Sequence, residues 1–292
     1  MPKDYEVVLD GVSLAIRELG QPDGRPVLHF HGTPGSRLEL EWGETDLARA
    51  GIRLVTFDRP GYGRSPATPF SLTSVATRAV ELMDGLGIDE FVANGWSGGG
   101  PFALATAAVA PARVMAVGVM SGVAPLQLRP GAIDGLSGSD AEAARHLKTD
   151  PVAAAELFRH SFEPLGGLSD LESLLAVLDG ALSERDKRVL RQPEIGNAFL
   201  AEIHEASLQG FAGGGWDNVA WVGDWDFDVS QVRSPVRLWY GDEDAMAGVG
   251  NGTWLEEHLS DATLTVRPGY GHLGPVEHLA EMLEELLRFT EH

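Results

Sequence analysis

The chain has 292 residues, 43% of them apolar and 22% charged, a balance that suits one or two globular domains whose core needs no covalent staple. It carries no cysteine, which excludes disulfides, thiolate metal sites and a cysteine nucleophile. A formal net charge of −21 repels nucleic-acid phosphates and anionic lipid surfaces, so neither is an expected partner.

The first ten residues lack the apolar h-region of a secretory signal, and no apolar run is long enough to span a bilayer. A cytoplasmic protein is therefore the expectation, with oligomeric state left open, a homo-oligomer included. Residues 5–10 and 12–19 alternate about Gly11 and read as an opening hairpin. Residues 26–30 form a short apolar run without alternation, as a strand buried on both faces does. A helix is predicted over 38–50 and a strand over 52–57. Ser71 can cap a helix whose apolar stripe is Leu72, Val75, Ala79, Leu82, Met83 and Leu86. A strand at 90–94, a helix at 98–110 and a strand at 113–120 follow. This alternation predicts an α/β fold with a mostly parallel sheet and helices on both faces.

From about 124 to 228 the signals are helical and no strand stands out. Asp150 before Pro151 fits an N-cap and first helical position, Ser169 with Glu172 fits a capping box, and 193–208 is a further helical stretch. Gly213 to Gly215, before Trp216, are expected to loosen the chain. The alternation resumes with a strand at 235–240, a helix near 251–259, a strand at 262–266 and a last helix near 275–290. A helical insertion within an α/β core is most simply a cap over one edge of the sheet.

The chemistry-bearing residues fall at the ends of the predicted strands, where ligands collect in open α/β sheets. Gly95-Trp96-Ser97-Gly98-Gly99 sits between strand and helix. Glycine supplies 36 residues, so a lone Gly-x-Ser-x-Gly match means little, but here small neighbours clear space for a sharp turn that presents Ser97. The stretch lacks both the Gly-x-Gly-x-x-Gly spacing and the lysine of a nucleotide-binding loop. His272, in a glycine-rich loop after strand 262–266, is the candidate base. Seven of the other eight histidines fall in apparent helices, as His146, His160, His204, His258 and His278 do, or flank Phe30, as His29 and His31 do. Asp244, after strand 235–240, is the candidate orienting acid, with Asp242 as fallback and Glu243 behind it. His31-Gly32-Thr33-Pro34 ends strand 26–30, and the Thr33 N–H could join that of Gly98 in holding developing negative charge. Residues 58–65, Asp-Arg-Pro-Gly-Tyr-Gly-Arg-Ser, read chiefly as a shaped loop at the rim of the site.

Taken together these motifs resemble the α/β-hydrolase superfamily over nearly the whole chain. His31 to Pro34 resembles its oxyanion loop, Asp58 to Ser65 its D-x-P-G-x-G-x-S segment, and Gly95 to Gly99 its nucleophile elbow. Gly241 with Asp244, and Gly271 with His272, resemble its acid and histidine loops. The resemblance implies a core of 1–123 and 229–292, with 124–228 as the variable cap. A serine at the elbow departs from haloalkane dehalogenases and epoxide hydrolases, which use aspartate there. The elbow also departs from the G-G-S-W-G of proline iminopeptidases.

The expected activity is hydrolysis of a small-molecule ester or related acyl bond through Ser97, Asp244 and His272, with Thr33 and Gly98 as oxyanion donors and no cofactor or metal. Trp96, Phe211, Trp216 and Trp221 are candidates for lining the acyl pocket, although packing alone explains an aromatic equally well. No residue of the insertion stands out as an anchor for a substrate amine or carboxylate, so esters are favoured over peptides. Lactonase, C–C bond hydrolase, acyl transfer and cofactor-free haloperoxidase or perhydrolase chemistry stay open with the same triad. A ligand-binding protein that keeps the fold without turnover is the competing class.

Overall fold

The computed structural model describes residues 2–136 and 138–290. Eight strands form one sheet in the order β1-β2-β4-β3-β5-β6-β7-β8. They are β1 (Lys3–Leu9), β2 (Val12–Gly20), β3 (Arg25–Phe30), β4 (Ile52–Phe57), β5 (Phe91–Trp96), β6 (Val114–Met120), β7 (Val236–Gly241) and β8 (Ala262–Arg267). The opening hairpin pairs antiparallel, β2 pairs antiparallel with β4, and every other neighbour is parallel.

Side chains alternate across the sheet, and the two faces feed two cores. Leu28, Phe30, Phe91, Ala93, Leu238 and Tyr240 pack on one face with α2 (Leu72–Gly85), α3 (Gly100–Val109) and α10 (Gly250–His258). Val27, Val92, Ala116 and Trp239 point the other way, against α1 (Glu44–Arg49) and α11 (Gly274–Leu287). Burial on both faces explains the unalternating apolar runs of the central strands. α2 opens on a capping box made by Ser71 and Ser74.

Between β6 and β7 the described residues form helices and no strand: α4 (Gly138–His146), α5 (Pro151–His160), α6 (Leu171–Leu178), α7 (Glu184–Leu190), α8 (Pro193–Ala206) and α9 (Ala212–Val222), with short 3₁₀ turns. No helix among the described residues is long and apolar enough to cross a membrane.

Three local expectations are corrected. The helix predicted over 38–50 begins only after residue 40. Buried Arg37 and Glu39 are held by tertiary polar contacts, and Leu40 sits at φ 60°, outside helical space. The cap of α6 is Asp170, whose side chain accepts from the Ser173 N–H, not Ser169, which bonds to Asp170 instead. Gly213 to Gly215 do not loosen the chain but lie inside α9. A Cβ at Gly213 would stand 2.3 Å from the Tyr62 ring, and one at Gly215 would stand 2.2 Å from the Ala155 carbonyl. Close packing wins over glycine's poor helix propensity.

Candidate active site

Ser97 follows β5 directly, at φ 53°, a conformation that costs a non-glycine residue about 1–3 kcal/mol. Its surroundings enforce the turn. A Cβ at Gly95 would lie 2.3 Å from the Gly99 carbonyl, and one at Gly98 would lie 2.2 Å from Thr33 Oγ1. The chain then runs through a 3₁₀ turn, Ser97–Gly99, into α3, whose first N–H groups have no acceptor within the helix. Gly98 lies in the 3₁₀ turn that leads into this end of the helix.

His272 and Asp244 come from the loops after β8 and β7. The imidazole Nδ1 lies 2.9 Å from Asp244 Oδ2, and the Asp244 side chain is wholly buried. Asp244 Oδ1 accepts the N–H groups of Met246 and Ala247, both at 2.9 Å. Burial pushes the Asp244 carboxyl up, but His272 and the N–H donors outweigh it and hold it below its usual range. Burial likewise pushes His272 down, but the Asp244 charge and hydrogen bond outweigh it and raise the imidazole above its ordinary value. Asp242 instead accepts the Gly269 N–H at 2.6 Å, and it and Glu243 are exposed. Of the three candidate acids, Asp244 is the one against His272. The Trp96 indole N–H donates to the His272 carbonyl at 3.2 Å, tying the histidine loop to the elbow.

The loop at 31–34 is held from below by Arg59, which is fully buried. Its guanidinium donates to the His31 carbonyl at 2.5 Å and to the Gly32 carbonyl at 3.0 Å. In a trans peptide the N–H points opposite to the C=O, so fixing the Gly32 carbonyl toward Arg59 turns the Thr33 N–H the other way, with no protein acceptor among the described residues. His31 Nδ1 also bonds the Gly32 carbonyl, at 2.8 Å, and its Nε2 accepts the Arg59 N–H. Burial, then the Arg59 charge, keeps His31 well below its ordinary range and hence neutral. The Arg59 charge is met by Asp217 of α9, which also accepts the hydroxyls of Tyr62 and Thr33, each at 2.7 Å. The segment read as a rim loop thus carries a buried cation that organises the neighbouring loop. Its partner Asp217 was hidden in sequence by the glycine run before it.

A cavity of about 430 Å³ opens on these groups. Ser97, Gly98, Thr33, Trp96 and His272 line it from the core, and Leu165, Leu174, Leu178, Phe199 and Trp221 are among its walls from the helical segment. Trp96 and Trp221 are therefore in the cavity wall. Phe211 and Trp216 are not: Phe211 is buried in a cluster with Tyr62, Leu165 and Ile203, of which Leu165 and Ile203 reach the cavity and Phe211 does not. Amphipathic spacing cannot tell a core aromatic from a pocket aromatic.

Two carboxyls that sequence reasoning passed over also line the cavity. Glu39 accepts the Gly32 N–H and bonds His29 Nε2, both at 2.7 Å. Glu202, on α8, lies against it, and burial together with the Glu39 charge pushes Glu202 well above the carboxylate range. Both causes favour the protonated form of Glu202. Glu202 puts a carboxyl of the helical segment on the cavity wall, where the sequence had shown no residue standing out as an anchor for a substrate amine or carboxylate.

Sheet order, strand polarity and a serine, histidine and aspartate gathered at strand ends define a class: an α/β protein with its chemistry at the carboxyl edge of a mostly parallel sheet. The family model for the alpha/beta hydrolase fold matches residues 25–279. The chain belongs to the α/β-hydrolase fold family. It is 27% identical over 290 residues to a pimeloyl-[acyl-carrier protein] methyl ester esterase of Chromobacterium violaceum, covering 96% of this chain and 99% of that protein. Among solved structures it is similar to Est816, described as an N-acyl homoserine lactone degrading enzyme, at 25% identity and TM-score 0.68, covering 97% and 99% of the two chains. A thermophilic esterase from Thermogutta terrifontis shares the fold at TM-score 0.69 and 22% identity, over 98% of each chain. The family and these relatives support a hydrolytic enzyme.

Proposed function

We propose that the protein is a serine hydrolase cleaving small-molecule esters with an apolar acyl group. The observation that carries this reading is the buried His272–Asp244 pair opening, with Ser97 at its strained turn, on one leucine-rich cavity. His272 Nε2 takes the Ser97 proton as Oγ attacks the ester carbonyl, and Asp244 holds the Nδ1–H tautomer and balances the imidazolium. The Thr33 and Gly98 N–H groups receive the oxyanion, each worth about 3 kcal/mol in systems of this kind. His272 then protonates the leaving alcohol. Water activated by the same imidazole releases the acid from Ser97. Residues 124–228 act as the cap, whose leucines select the acyl chain by size and polarity. The names of the esterase relative and of the lactone-degrading neighbour favour esters and lactones as the first substrates to try.

A second reading is favoured by Glu39 and Glu202 alone: an acyl group bearing an amine, whose cation would sit against the two cavity carboxyls and favour the ionised form of Glu202. One panel tests both: nitrophenyl esters of graded chain length, lactones, and esters of apolar amino acids, assayed with wild type and Ser97→Ala. Turnover of simple acyl esters, lost in Ser97→Ala, supports the first reading. Preference for amino esters that vanishes in Glu202→Gln supports the second. Ligand binding without turnover of any acyl substrate would sink both.

A further inference from the structure

We propose that Asp186, a residue of the helical segment between β6 and β7, is a positioning residue for His272: its carboxylate clasps the backbone of the histidine loop and so links that segment to the catalytic base. The inference rests on the triad reading given above.

Asp186 is the third residue of α7 and forms a capping box with Ser183, accepting the Ser183 N–H at 3.1 Å. A capping-box carboxylate ordinarily serves only its own helix. This one is almost wholly buried, and it reaches across to the core. Oδ2 accepts the His272 N–H at 3.1 Å, and Oδ1 accepts the Leu273 N–H at 2.9 Å. Leu273 is the N-cap of α11 and offers no side-chain cap of its own. One carboxylate therefore caps two helices, α7 of the insertion and α11 of the core, and places its charge at the positive end of α11.

The neighbouring residues are arranged for this clasp. A Cβ at Gly271 would lie 1.9 Å from Asp186 Oδ2 and 2.5 Å from Ser183 Oγ, so the glycine before His272 makes room for the carboxylate. His272 is then fixed at three points: its N–H by Asp186, its carbonyl by Trp96, and its ring by Asp244. Without the first, the backbone that aims the imidazole is held on one side only, and a displacement of about 1 Å at a reacting group costs on the order of 100-fold in rate.

The charges facing His272 come from three elements: Asp244 after β7, Asp186 on α7 and Glu39 after β3, all of which favour the imidazolium. Beside the loop, Arg185 lies over the Tyr270 ring and pairs with Glu277 of α11, so its charge is already met. Removing the Asp186 charge thus lowers the pH at which His272 becomes a free base, a signature that loss of packing alone does not produce. Asp186 does not line the cavity, so substrate affinity is untouched by direct contact.

The test uses the full chain with 4-nitrophenyl butyrate, comparing wild type, Asp186→Asn, Asp186→Ala, Ser97→Ala and Asp170→Ala between pH 5 and 9. Labelling by a fluorophosphonate probe gives a second rate, and circular dichroism gives the folded fraction. Asp170→Ala removes the cap of α6 and serves as a stability control with wild-type kcat. For Asp186→Asn the expected result is a kcat lower by about 10–100-fold, KM within a few-fold, slower labelling, and a downward shift of the acidic midpoint of kcat/KM. Asp186→Asn with unchanged kcat and midpoint, or with a rate lowered only in proportion to its unfolded fraction, overturns the proposal while leaving the triad intact. If Ser97→Ala keeps wild-type turnover, the triad reading fails and the proposal falls with it.

Discussion

Asp217→Asn probes the buried ion pair that joins α9 to the loop at 31–34. The Asp217 carboxylate receives Arg59 Nε at 2.9 Å, Arg59 Nη2, and two hydroxyls, and neither charged side chain reaches solvent. Asparagine keeps the shape but removes the charge, and its amide N–H₂ group faces donors. Arg59 is then a buried cation whose hydrogen-bond partners are neutral, among them the His31 and Gly32 carbonyls and Thr33 Oγ1. Breaking one side of such a pair costs about 3–5 kcal/mol, a large part of the stability of an ordinary domain. The midpoint of thermal unfolding should fall by on the order of 10 °C. Urea denaturation followed by fluorescence of the seven tryptophans gives the free energy directly. A double-mutant cycle with Arg59→Met should return a coupling of about 2 kcal/mol or more. Loss of less than about 1 kcal/mol in Asp217→Asn, with coupling near zero, would refute the idea that this pair holds the loop.

Asp244→Asn should lower kcat for ester hydrolysis by roughly 10⁴, while Asp242→Asn stays within a few-fold; steady-state kinetics on purified variants with a larger loss at Asp242 would reverse the assignment. The base must be neutral to act, and its folded value is raised, so kcat/KM should climb through an acidic midpoint above 6.5. A midpoint below 6 would contradict the Asp244–His272 coupling. Glu202 has a folded pKa raised above its unfolded value, so below 4.5 it is protonated in both states, and stability falls as pH rises from there toward the folded value. Glu202→Gln should therefore unfold at a higher temperature than wild type at pH 8, and differ little at pH 4; an unchanged difference across that range would count against the upward shift of Glu202.

Much of the architecture was legible because each strand of the central sheet is short, apolar and followed by turn or helix signals. Val27, Leu28 and Phe30, or Phe91 to Ala93, could hardly be anything but strand buried on both faces. The tight turns beside Ser97 and His272 were legible for a related reason: glycines crowd both loops, and in each case the structure shows backbone or a carboxylate within 2.3 Å of where a Cβ would be. What stayed hidden is tertiary. Asp217 and Asp186 lie on helices of a segment whose docking no periodicity encodes, and each finds its partner far along the chain. Gly213 to Gly215 carried the wrong local message because a Tyr62 ring, absent from any sequence window, decides their packing. Phe211 and Trp216 show the same limit for aromatics, whose spacing does not say which face meets the cavity.

The central claim is that Ser97 forms an acyl-enzyme. Wild type and Ser97→Ala mixed with excess 4-nitrophenyl ester, quenched in acid and measured by intact-mass and peptide-mapping mass spectrometry, test it directly. The account predicts one acyl adduct per chain, on Ser97, formed with a burst of nitrophenol, and neither adduct nor turnover in Ser97→Ala. An adduct on another residue, or wild-type turnover by Ser97→Ala, would contradict it.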